Sequence, residues 1–199
     1  GLVAHTATKQ RGTEIERLQA IADLKASQVV AWFAERDSDA QVIRNDDSLV
    51  NAYMEWNRTN SPIARRRVEE RLYVHKMAAD YLEIALIGPD GQQISTNANS
   101  AVLTELPELR NAVNLAQETG KLVTTDLYRD DKGKSGTVHL DFIVPLRPGT
   151  DTDLQNLTVV MRTDPNRFLF PFIHAWPIPS ASAETLLFRR ESSQVLFLN

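Results

Sequence analysis

The chain has 199 residues, with 22 basic against 26 acidic side chains and a formal net charge of −4. A charged fraction of 24% beside a hydrophobic fraction of 42% is that of a globular domain, which argues against intrinsic disorder and offers no basic surface for nucleic acid. Cysteine is absent, so disulfides, thiolate catalysis and zinc–thiolate sites are excluded.

The first element is a long helix over 10–44. Ile15, Leu18, Ala22, Val29 and Trp32 recur at spacings of three and four, with Ile21 and Phe33 widening the stripe. A helix of about 30 residues is roughly 45 Å long and needs a partner along part of it. Asn45-Asp46-Asp47-Ser48 stops it and starts a short helix carrying Leu49, Val50, Tyr53 and Trp56. Ser61 and Pro62 then open a third helix to about residue 80, with Arg65-Arg66-Arg67 near its start. The arginine run reads as a solvated helix face, and Trp56 and Tyr73 read as packing residues.

Near residue 82 the hydrophobic period changes from 3.6 to 2. Leu82 to Ile87 is a strand, Gly88-Pro89-Asp90-Gly91 a turn and Gln92 to Thr96 a second strand. Thr104 to Thr119 is a helix stopped by Gly120. Strands follow over 122–128, 137–146 and 154–162, joined by polar loops of a length that suits antiparallel neighbours. After Asp164-Pro165 comes an aromatic segment with Phe168, Phe170, Phe172 and Trp176, then a Pro-rich linker. Two short strands, 184–189 and 194–198, close the sequence. Two strands cannot bury a core alone, so they read as the opening hairpin of a second domain.

The chemistry-bearing residues are sparse. Four histidines, His5, His75, His139 and His174, show no metal-ligand spacing. Gly133-Lys134-Ser135-Gly136 lacks the upstream glycine of a phosphate loop, where Tyr128 stands, and reads as a hairpin loop. No serine sits in a nucleophile elbow, and no catalytic residue, metal site or cofactor is expected. The fourth strand is the informative one: His139, Asp141 and Ile143 share one face, and Leu140, Phe142 and Val144 the other. In the third strand, Thr124, Asp126 and Tyr128 fall on one face. A ligand pocket would draw on Tyr128, Arg129, His139 and Asp141, with Arg129 as a bidentate donor to a carboxylate, Tyr128 and His139 orienting it, and Asp141 receiving an ammonium group. The competing reading is that these polar faces meet water or a covering helix.

Four stretches together resemble the extracytoplasmic PAS-like sensors called Cache or PDC domains. They are Ile21-Ala22-Asp23-Leu24-Lys25-Ala26 with Val30-Ala31-Trp32-Phe33, Ala85-Leu86-Ile87-Gly88-Pro89-Asp90-Gly91, Asp141-Phe142-Ile143-Val144-Pro145-Leu146, and Glu184 to Arg190 with Val195 to Asn199. The resemblance implies an α+β fold: a long N-terminal helix, a five-stranded antiparallel sheet flanked by helices, and the start of a second such sheet. It implies a signalling and dimerisation helix over 1–44, a sensor domain over 45–165, a linker over 166–183 and a truncated second domain over 184–199. It also implies a periplasmic location in a membrane-anchored bacterial receptor, most often a sensor histidine kinase, alternatively a diguanylate cyclase or chemoreceptor. The chain itself is then no enzyme. Its partners would be a small molecule (carboxylate, amine or amino acid) and a second copy bound through the N-terminal helix. A non-binding structural or partner-interaction module is the alternative. The tyrosine–arginine–tryptophan–aspartate signature of the amino-acid-binding members is not evident. Both ends are abrupt, which predicts a piece of a longer protein.

Overall fold

A computed structural model describes residues 2–97, 103–130, 137–146, 156–175, 188–191 and 194–197, with side chains from residue 11 onward and, in the last hairpin, that of Phe188 alone. The chain divides into two compact units, one of residues 36–168 and one of residues 1–35 with 169–199. Helix α1 (Leu2–Arg44) is followed by α2 (Asp47–Thr59), α3 (Pro62–Ala78), β1 (Glu83–Ile87) and β2 (Gln93–Ser95). Then come a 3₁₀ turn (Leu103–Glu105), α4 (Pro107–Thr119), β3 (Val123–Thr124), β4 (Tyr128–Arg129), β5 (Val138–Pro145) and β6 (Thr158–Thr163). Helix α5 (Leu169–His174) and the strands β7 (Phe188–Glu191) and β8 (Gln194–Phe197) complete the described elements.

The helix ends follow their local chemistry. Asp46 caps α2, its Oδ1 accepting from the backbone N–H of Ser48 and Leu49 at 3.1 Å each. Pro62 and Pro107 occupy first-turn positions of α3 and α4, where a missing N–H costs nothing. Gly120 ends α4 in the left-handed region at φ 62°, donating its N–H to Ala116 O at 2.8 Å.

In the 36–168 unit the sheet runs β2-β1-β6-β5-β3, with β4 also paired to β5. Every pairing is antiparallel, as the loop lengths predict. The register sorts the side chains onto two faces. One carries Ala85, Ile87, Ile143 and Val160, packed against Leu109, Ala112, Val113 and Ala116 of α4 and Leu103. The other carries Ile84, Leu86, Ile94, Phe142, Val144, Val159 and Met161, all buried, with α3 adjoining β1 and β2. Both faces are covered, so β1, β5 and β6 are buried along their whole length.

The third strand of the sequence reading is two pieces. Five residue steps separate Val123 from Tyr128, but only four separate their partners, Ile143 and His139. One extra residue therefore bulges out of this strand. Within the bulge Thr125 replaces ladder bonds, its N–H donating to Asp141 O and its Oγ1 accepting from Asp141 N, both at 2.9 Å. The bulge reverses the side-chain parity, so Tyr128 shares a face with Val123 and not with Thr124. Tyr73, expected to pack inside, is 54% exposed, while Trp56 is buried.

In the other unit, the Lys25 ammonium donates to three carbonyls at the end of α5: Phe172 at 3.1 Å, Ile173 at 2.5 Å and Ala175 at 2.6 Å. Strands β7 and β8 pair antiparallel from Phe188↔Phe197 to Glu191↔Gln194. The loop 131–136, the linker residues 177–183 and Trp176 lie outside the described residues.

Candidate functional site

Along the α4 face, the sheet changes character past Val160. The register places Glu83 beside Arg162 and Arg162 beside Asp141, and brings Tyr128 next to His139. These five side chains form a polar cluster on the same face as the apolar layer under α4. All five are buried, Asp141 completely.

Arg162 organises the cluster. Its Nε donates to Asp141 Oδ1 at 3.0 Å and its Nη2 to Asp141 Oδ2 at 3.0 Å, a bidentate pair. Nη2 also donates to the Tyr128 hydroxyl at 2.7 Å, and that hydroxyl donates to Asp141 Oδ2. On the other side Nη1 lies 3.9 Å from Glu83 Oε2, while Ser95 Oγ donates to Glu83 Oε1. Burial, reinforced by the Asp141 charge, pushes the Tyr128 hydroxyl far above its ordinary value, so it stays protonated and donates. Burial opposes the Arg162 charge, but Asp141 more than restores it, and the guanidinium titrates above its ordinary range.

His139 extends the cluster outward. Its Nε2 lies 3.1 Å from Asp130 Oδ2, and its ring sits 5.7 Å from that of Tyr128. Its Nδ1 is buried, with no hydrogen-bond partner among the described residues. Burial raises the Asp130 carboxyl, but bonds from His139 and the Thr137 N–H outweigh it, and the net shift is downward. Glu83 and Asp141 both face the single guanidinium of Arg162.

The structure thus brings together Tyr128, His139 and Asp141 of the four expected residues. Arg129 is exposed and paired across the ladder with Val138, so it lies on the opposite face from Tyr128. Arg162 and Glu83 were missed by sequence reasoning. A period-two reading of β6 puts Thr158, Val160 and Arg162 on one face, and a single arginine ending such a strand was the available signal. Among the described residues, no group of three or more acidic or histidine side chains is placed to hold a metal ion.

A separate open cavity of about 680 Å³ lies between α3 and the β2 edge of the sheet. Arg66, Glu70 and Tyr73 line one wall, and Gln93, Ser95 and Asn97 the other.

No family model and no curated protein matches the chain. Solved structures do. One is the ligand-binding domain of the Pseudomonas fluorescens chemoreceptor CtaA in complex with L-serine. It is 14% identical, with 87% of this chain and 67% of that one covered at a TM-score of 0.54. Another is the ligand-binding domain of the Pseudomonas aeruginosa PAO1 amino acid chemoreceptor PctB in complex with L-Arg. It is 16% identical, with 91% and 69% covered at a TM-score of 0.57. The chain has the fold of chemoreceptor ligand-binding domains. At these identities the likeness is one of fold, and it agrees with the PAS-like, Cache-type architecture read from the sequence. No described helix of this sensor fold is long and apolar enough to cross a membrane.

Proposed function

We propose that the chain is the extracytoplasmic sensing domain of a transmembrane receptor and recognises a small molecule bearing an ammonium group. The observation that carries this is the buried cluster beyond α4, where Asp141 and Glu83 meet one guanidinium and the buried Nδ1 of His139 has no partner among the described residues. A ligand cation would give the second carboxyl a partner, with Asp141 receiving it and Tyr128 and His139 orienting it. Arg162, in place of Arg129, would supply the guanidinium for a ligand carboxylate. The ligands named for CtaA and PctB, L-serine and L-Arg, carry both groups. The sequence resemblance favours a histidine kinase as the output domain. Exposed Ile15, Leu18, Leu24 and Val30 on α1 support a homodimer through that helix.

A thermal-shift screen of the purified chain against amino acids, amines and carboxylates tests the ligand reading. A compound at 100 times its Kd adds about 2.7 kcal/mol. Asp141→Asn is expected to abolish the shift. A well-folded sample that responds to none of these compounds refutes the reading.

One observation favours the alternative of a module that binds no small molecule. Asp141, Tyr128 and Arg162 already satisfy one another. A domain of that kind gives no shift with any compound, yet sediments as a dimer that Leu18→Glu dissociates.

A further inference from the structure

Helix α3 buries one row of side chains, Ala64, Val68 and Leu72. The opposite row faces solvent. Ile63, Arg66, Glu70, Tyr73 and Met77 recur at alternating spacings of three and four, with Val74 alongside, and all six are exposed. They fall within about 100° of the helix circumference, directly across from the buried row. Among the described residues of the 36–168 unit, seven large hydrophobic side chains are exposed. Four of them, Ile63, Tyr73, Val74 and Met77, lie on this stripe, each more than half exposed. Exposed apolar residues scattered singly need no explanation, whereas their concentration on one helix marks a contact surface.

The charges on the stripe select its partner. Of the four arginines on α3, Arg65 pairs with Glu69 at 3.0 Å, Arg67 with Glu55 at 2.7 Å and Arg71 with Asp46 at 2.6 Å. Arg66 and Glu70, at the middle of the stripe, form no ion pair or hydrogen bond among the described residues. The alternating spacing is the seam of a coiled coil, and in an antiparallel pair each first position of one seam meets a second position of the other. Ile63 and Tyr73 lie five residues either side of Val68, and Arg66 and Glu70 two either side. A two-fold axis at the level of Val68 therefore sets Arg66 of each copy against Glu70 of the other, and Ile63 against Tyr73. A parallel pair would put Arg66 on Arg66 and Glu70 on Glu70. Moving the axis to Glu70 would match Ile63 with Met77 but set the two Glu70 carboxylates together. The seam is thus complementary to itself in one orientation and one register, which is what an isologous contact requires.

We propose that a second copy of the chain docks antiparallel along this face of α3, held by two Arg66–Glu70 pairs between the copies and by Ile63 against Tyr73 at each end.

One helix per copy makes a small interface, so the contact is weak and is read at high protein concentration. The experiment is sedimentation equilibrium of the Leu18→Glu chain, in which association through α1 is disabled. That chain should dimerise with a Kd below about 1 mM. Adding Arg66→Glu or Glu70→Arg sets like charges across both contacts and should weaken dimerisation at least about tenfold. Both positions are exposed, so neither reversal threatens the fold. The two reversals together in one chain restore opposite charges and should recover the association. An equal mixture of the two single reversals should form a heterodimer, although each alone stays monomeric. A Leu18→Glu chain that is monomeric up to about 1 mM overturns the proposal. So does a dimer indifferent to either reversal, or a double reversal that associates no better than the singles. The contact draws on no residue of the polar cluster, so a chain that answers no small molecule still dimerises here, and the two tests fail separately.

Discussion

Replacing Arg162 by methionine tests the central cluster most directly. The side chain is 6% exposed and makes two bonds to Asp141 and one to Tyr128. Its removal leaves the carboxylates of Asp141 and Glu83 buried without a cation. Orphaning a buried charge in this way costs about 3–5 kcal/mol. A domain's whole stability is roughly 5–15 kcal/mol, so the variant should keep its fold by a narrow margin. For a chain of this length the loss corresponds to a fall in Tm of roughly 6–20 °C. Urea unfolding followed by circular dichroism measures it. The companion variant Arg162→Met with Asp141→Leu removes both members of the bidentate pair. It should recover part of the loss, with a coupling of about 0.5–3 kcal/mol between the two sites. A loss below about 1 kcal/mol in the single variant would mean that water reaches the carboxylates and that the cluster is not the closed electrostatic unit described. Strict additivity of the two substitutions would refute the pairing.

Three other expectations follow from the fold. Burial raises the Asp46 carboxyl, but bonds from His75 at 2.7 Å and Arg71 at 2.6 Å, with the Leu49 N–H, bring it below its ordinary 3.8. A depressed carboxyl stabilises the fold above that value and loses its contribution as pH falls through the lower folded value. Asp46→Asn should therefore flatten the stability profile below about pH 4, as read by acid titration of urea midpoints. It keeps the cap, whereas Asp46→Ala should cost about 1 kcal/mol more. A Cβ at Gly88 would collide with the buried Tyr53 hydroxyl and lie 2.8 Å from Asp90 Oδ1. Gly88→Ala should cost about 1–3 kcal/mol, and adding Tyr53→Phe should recover much of it; equal stability of the two variants would count against the contact. That hydroxyl is pushed up to about 12 by burial and the Asp90 charge, so it is neutral and its loss removes no charge. Lys25→Met frees the carbonyls of Phe172, Ile173 and Ala175. Amide exchange across 169–175 should then quicken by roughly tenfold, and unchanged exchange would show that the ammonium does not hold α5.

The elements themselves were legible because local rules determine them. The period change near residue 82, the Pro-Asp-Gly turn, the prolines opening α3 and α4 and the glycine closing α4 each act within a few residues. The face assignment of β5 also followed from strict alternation, and His139 and Asp141 stand where it put them. The bulge at Thr125 was not legible, because an extra residue leaves no mark in a polar stretch until the partner strand sets the count. That residue moved Tyr128 onto the face of Asp141 and Arg129 onto the other. Tyr73 was misplaced for a related reason: helical periodicity finds a stripe, but α3 packs Ala64, Val68 and Leu72 inward and leaves Tyr73 on the cavity wall.

The sequence by itself determined the α+β class, the antiparallel order and the sparse inventory of ionisable groups, because periodicity, turn chemistry and composition are properties of neighbouring residues. Only the tertiary structure decided which of those groups meet. Glu83, Asp141 and Arg162 are up to 79 residues apart in sequence, from 83 to 162, and adjacent across β1, β6 and β5. Burial then makes their pairing compulsory, since a charge withdrawn from water must find its complement among whatever strands the register has placed beside it.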